Sequence, residues 1–121
     1  MRVLAPLAGV LMFAAGAAAQ EQPVTQGSGA VVRALDKVTG KLEDLEIAAG
    51  GAAEFGRISV SVRECRYPQD DPAGDAYAFL DITTESSPGA AFSGWMIASS
   101  PALNALDHPR YDVWVLRCTT E

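Results

Sequence analysis

The sharpest pattern in the chain is the alternation over Arg57–Cys65, RISVSVREC. Ile58, Val60 and Val62 are apolar, with Arg57, Ser59, Ser61 and Arg63 between them. A period of two marks a half-buried β-strand. Continued strictly, this parity turns Glu64 inward and Cys65 outward, and a bulge near Arg63 would return Cys65 to the core. Further strands are predicted at Ala30–Leu35, Leu42–Ile47, Tyr77–Thr83, Phe92–Ala98 and Tyr111–Cys118. Turn-rich stretches separate them at Asp36–Gly40, Ala48–Gly51, Arg66–Asp75 and Thr84–Gly89. In Phe92–Ala98 both faces carry apolar bulk: Phe92, Gly94 and Met96 on one, Ser93, Trp95 and Ile97 on the other. In the last strand Tyr111, Val113 and Val115 oppose Asp112, Trp114, Leu116 and Cys118.

Between the last two strands the pattern changes. Ser100-Pro101 is a good cap and first-turn pair, and Leu103 and Leu106 stand at helical spacing, so a helix of one or two turns is predicted over Ser99–Leu106. Asp107-His108-Pro109-Arg110 ends it, because a residue before proline avoids the helical region. Parallel sheets need long crossover helices, and the sequence has none. The fold class is therefore all-β: a small antiparallel sandwich or barrel with one short helix before the last strand.

The start of the chain does not belong to this scheme. Met1-Arg2, an apolar stretch from Val3 to Gly16 and Ala17-Ala18-Ala19 make a secretory signal peptide, with cleavage expected after Ala19. Retention of the segment as an anchor is the competing reading. The stretch is shorter than the roughly 20 apolar residues that span a bilayer. Residues 20–29, QEQPVTQGSG, are polar and aperiodic and are expected to form a flexible N-terminal arm not packed in the domain. Residues 30–121 make a single domain. Export by a cleaved signal makes the expected location periplasmic. The chain has 121 residues and a net charge of -6, which argues against a nucleic-acid partner because little would neutralise phosphates.

Cys65 and Cys118 are the only cysteines, and an even count in an exported chain predicts one disulfide between them. The pair is too far apart in sequence for a redox-active C-x-x-C motif. No metal site or cofactor pattern is present. Two thiols and the single His108 are too few ligands, Asp70, Asp71 and Asp75 lack calcium-loop spacing, and the glycines form no phosphate loop. A catalytic reading would make His108 the base for Ser99 or Ser100, oriented by Asp107 or Asp112, in a hydrolase. No nucleophile-elbow motif supports it, and no catalytic residue is assigned. The alternative is a turn held by local hydrogen bonds at Asp107-His108-Pro109.

Phe92–Cys118, FSGWMIASSPALNALDHPRYDVWVLRC, together with Arg33–Gly40, Phe55-Gly56-Arg57 and Cys65, resembles the bacterial family called domain of unknown function 2155. The resemblance spans about Ala30 to Cys118. It implies a small exported protein of alphaproteobacterial type. Genes of that family often sit beside one for an accessory subunit of respiratory complex I, which implies a periplasmic accessory subunit or assembly factor of that complex. The family brings no catalytic residues with it.

The expectation is a protein-binding domain whose partner is a membrane-bound complex on its periplasmic side. Candidate partner-binding residues are Trp95, Met96, Asn104, His108 and Arg110, with the Ser99–Pro109 segment facing the partner. A free module for a small ligand or envelope component is the alternative.

Overall fold

The computed structural model describes residues 23–120, so the signal-peptide reading of residues 1–19 lies outside the described residues. Among the described residues eight strands form: β1 (Val24–Gln26), β2 (Gly29–Asp36), β3 (Leu42–Ala48), β4 (Gly51–Phe55), β5 (Ile58–Pro68), β6 (Tyr77–Thr84), β7 (Ser87–Ile97) and β8 (Tyr111–Thr119). They make two antiparallel sheets packed as a sandwich. The larger runs β1-β5-β6-β7, with β4 also paired to β5, and the smaller runs β3-β2-β8. β4 pairs with Ile58–Val62 and β1 with Arg66–Pro68, so they lie end to end along one side of β5.

The core follows the alternation. Val60 and Val62 of β5, Ala78, Leu80 and Ile82 of β6, Ala30, Val32 and Ala34 of β2, and Val113 and Val115 of β8 are all buried between the sheets. Irregularities break the period at the start of β7, where its register against β6 shifts between Ile82 and Thr84, and near each cysteine. In β5 the register shifts between Val62 and Glu64, where the sequence called for one, and Cys65 is fully buried. In β8, Val31 pairs with Arg117 but Val32 with Val115, so Leu116 is the extra residue and Cys118 turns inward. Cys65 and Cys118 are joined across the sandwich with Cα atoms 5.6 Å apart.

The expected helix over Ser99–Leu106 is absent, and the segment runs as turns. The Ser100 N–H donates to the Ile97 carbonyl at 3.0 Å and the Leu103 N–H to the Ser100 carbonyl at 3.0 Å. Eight residues gain too few helical hydrogen bonds to offset nucleation, and side-chain tethers compete. The Ser99 hydroxyl donates to Asp75 Oδ2 at 2.6 Å and its N–H to Oδ1 at 2.9 Å. The two leucines also part company: Leu106 is buried, whereas Leu103 is 72% exposed.

The expected loose arm over 20–29 is corrected from residue 23 onward. Val24–Gln26 adds to the larger sheet, and the Gly27 N–H donates to the Cys65 carbonyl at 2.7 Å. A Cβ on Gly27 would lie 2.7 Å from the Thr119 carbonyl oxygen and 3.0 Å from Cys118 Cβ. Glycine is needed there because the backbone passes directly against the disulfide. Backbone pairing and close approach, rather than apolar burial, hold this segment.

Candidate protein-binding surface

The candidate residues from the sequence do not form one cluster. Trp95 and Met96 are neighbours on β7 and therefore point to opposite faces. Met96 pairs with Ala78 and is buried in the core, so packing accounts for its side chain. Trp95 pairs with Phe79 and stands on the outer face of the larger sheet, 37% exposed. Asn104 turns back onto β7, its Nδ2 donating to the Trp95 carbonyl at 2.9 Å.

His108 and Arg110 belong to a hydrogen-bonded corner. Asp36, at the end of β2, is 5% exposed. Arg110 Nε lies 3.1 Å from both of its carboxylate oxygens, and Nη2 donates to Oδ2 at 2.9 Å. The Val38 and Thr39 N–H groups donate to Oδ1 at 2.9 and 3.2 Å. The Arg110 guanidinium, helped by these N–H groups and opposed by burial, holds the Asp36 carboxyl well below the usual carboxylate range. His108 Nδ1 accepts from the backbone N–H groups of Arg110 (3.0 Å) and Tyr111 (3.2 Å), which places its ring proton on Nε2. Lys37 Nζ donates to the His108 carbonyl at 2.8 Å. The Tyr111 hydroxyl accepts from the Arg57 N–H at 3.0 Å, beneath Gly56 at φ 57°. This corner pins the end of the 99–110 connection to the β2–β3 turn.

The same bonds bear on the hydrolase reading. Ser99 is bonded to Asp75, and among the described residues neither Ser99 nor Ser100 hydrogen-bonds His108. Asp75 is likewise committed. Burial opposes ionisation of its carboxyl, but the Ser99 hydroxyl and the Ala76 and Ser99 N–H groups prevail and keep it below its ordinary range. Among the described residues no group of three or more His, Cys, Asp or Glu is placed to hold a metal ion.

The outer face of the larger sheet is more distinctive. Phe79 and Trp95 meet edge to face, ring centroids 5.5 Å apart at 88°. Arg63 lies over Phe79, its Cζ 4.8 Å from the ring centroid, and Arg66 lies over Trp95 at 5.3 Å. Tyr77 and Ile97 pair with each other and share this face, both half-buried. The arginines are braced by acids: Arg63 Nε donates to Asp81 Oδ2 at 2.6 Å, and Arg66 Nη2 lies 2.7 Å from Glu64 Oε1. Asp81 also accepts from the Ser93 hydroxyl at 2.6 Å. That bond, then the Arg63 guanidinium, keeps its carboxyl below the usual range. Sequence reasoning named Trp95 but missed Phe79, Arg63 and Arg66. Alternation in Tyr77–Thr83 already sets Phe79 opposite Ala78 and Leu80, and alternation in Arg57–Cys65 sets Arg63 opposite Val60 and Val62, whereas Arg66 reaches this face only because of the β5 bulge.

Comparison with known proteins places the chain. The sequence profile of a family described as "Uncharacterized protein conserved in bacteria (DUF2155)" matches residues 30–118. An uncharacterized protein of Rickettsia prowazekii (strain Madrid E), RP359, is 32% identical over 88 residues, which is 70% of this chain and 57% of the relative. The match thus spans little more than half the length of that curated relative. No solved structure matches. The profile match reaches from β2 into β8 and takes in both cysteines and the aromatic and arginine side chains of the outer face, and the chain accordingly belongs to the bacterial family DUF2155.

Proposed function

We propose that the chain is an exported protein-binding domain that docks through the outer face of its larger sheet onto a membrane-bound protein complex on the periplasmic side. The observation that carries this reading is the Phe79–Trp95 pair, set with Tyr77 and Ile97 on the face of the larger sheet turned away from the core, with Trp95 37% exposed. Contiguous aromatic surface of this kind marks interaction sites, and buried tryptophans and arginines dominate binding energies. The disulfide is consistent with an oxidising compartment. Respiratory complex I is the favoured partner, a choice that rests on the family's genomic setting alone.

Affinity capture of the tagged protein from solubilised membranes tests the proposal. Wild type should copurify with a membrane complex, and Phe79→Ala/Trp95→Ala should lose it while melting as a folded protein. Copurification that survives the double substitution refutes the assignment to this face. The alternative, a small-ligand module, has one feature in its favour. A groove of about 340 Å³ lies between the 101–106 segment and β8, lined by Ala102, Ala105, Leu106, Val113 and Trp114 among others. Recovery of the protein alone with a small molecule bound there would favour it.

A further inference from the structure

The outer face is not simply apolar. Its two aromatic rings are each overlaid by a guanidinium, in the order Arg63, Phe79, Trp95, Arg66. An arginine carries five N–H donors in a rigid fork. Among the described residues Arg63 donates a hydrogen bond from Nε, to Asp81, and Arg66 has one close acidic neighbour, Glu64. Arg63 remains 64% exposed and Arg66 44%. Packing against rings restrains both side chains, so the unused donors face solvent with less conformational freedom to lose on binding.

Resting on the reading of this face as a docking surface, we infer that its partner presents an acidic peptide segment. Spaced carboxylates take the free guanidinium N–H groups, and the chain between them covers Trp95 and Phe79. Charge complementarity selects this occupant. In a protein of net charge -6, this face sets two arginines beside its largest exposed aromatic side chain. Glu64 lies between the arginines and Asp81 on the far side of Arg63, so a dense anionic surface such as a lipid bilayer meets repulsion there. Carboxylates spaced along a peptide reach the guanidinium groups and avoid it.

Fluorescent hexaglutamate titrated into the purified protein at low and high salt tests the inference. Saturable binding is expected, weakened by salt, with a change in Trp95 fluorescence. Arg63→Gln/Arg66→Gln should weaken it at least tenfold. Arg63→Lys/Arg66→Lys, which keeps charge but not the planar fork, should fall between. Unchanged affinity in the Gln variant, no binding at all, or preferential binding to vesicles of equal parts phosphatidylcholine and phosphatidylglycerol each overturns the inference. Capture from membranes separates the two levels. Loss of the complex with Phe79→Ala/Trp95→Ala but not with the Gln variant removes the acidic partner and leaves the docking surface. Retention with both removes both.

Discussion

Cys65 and Cys118 face each other across the sandwich because each strand slips by one residue just before its cysteine, at Arg63 in β5 and at Leu116 in β8. Strict alternation in either strand would turn one sulfur outward and leave the other without a partner. The two irregularities are thus one device, and the bond they allow ties the larger sheet to the smaller.

That bond closes a sequence separation of 53 residues, for which chain entropy gives about 4 kcal/mol of stabilisation. Reduction, or Cys65→Ala/Cys118→Ala, should lower the urea midpoint by a corresponding amount with an unchanged or larger slope. Urea unfolding with and without reductant measures it, and a shift below about 1 kcal/mol would contradict the entropic account.

The arm is a structural element from residue 23. Gly27→Ala forces a methyl against the Thr119 carbonyl oxygen and should cost about 1–3 kcal/mol by overpacking. Deleting residues 23–28 should lower the melting temperature by several degrees. Thermal unfolding of both variants is the check, and a deletion variant that melts with wild type would show that β1 contributes nothing.

Leu103 and Leu106 should separate under mutation. Leu106→Ala empties a buried site and should cost about 2–5 kcal/mol. Leu103→Ala, at an exposed position, should stay within about 0.5 kcal/mol of wild type. Equal losses would mean that both side chains pack, as a helix would have had them. Chemical denaturation distinguishes the cases.

Asp36 sets an acid limb. Its folded-state pKa is depressed by Arg110, so its stabilising contribution is complete above the unfolded value of roughly 4 and is lost as pH falls below it toward the folded value. Stability should therefore decline on acidification below about pH 4. Asp36→Asn should be less stable at neutral pH and show a flatter decline. Denaturation midpoints measured from pH 7 to pH 2 give the comparison, and parallel curves for the two proteins would remove Asp36 from the acid response.

What the sequence could reveal depended on how local each cause is. Alternation in Arg57–Cys65 identified β5 and the inward set Ile58, Val60 and Val62, because burial of one sheet face writes itself into every second residue. The bulge near Arg63 was legible because a cysteine needing a core position stood out of phase. At Leu116 the run Trp114-Val115-Leu116 is apolar at successive positions, so nothing signalled a slip. Ser100-Pro101 and the Leu103–Leu106 spacing are sound helix signals, overruled by Asp75 and by the Trp95 carbonyl, which lie far off in sequence. β1 left no trace in composition because main-chain pairing does not depend on side-chain type. Of the outer face, Trp95 and Phe79 follow from alternation alone. Arg63 shares that outward parity, but Arg66 reaches the face only through the slip in β5, and the rings beneath both arginines come from other strands.

The Asn104 contact bears on how the protein behaves among its own copies. β7 is the last strand on its side of the larger sheet, and none of its residues, Ser87 to Ile97, is charged. An uncharged margin of this length is an open template for a strand from a neighbouring molecule. Pro88 removes one donor near its start, and the Asn104 amide occupies the Trp95 carbonyl near its end. Colloidal stability at high concentration therefore depends on the 99–110 connection, which adds only Leu106 to the core. Besides burying Leu106 and carrying Arg110 to Asp36, it covers the margin at which the sheet could grow.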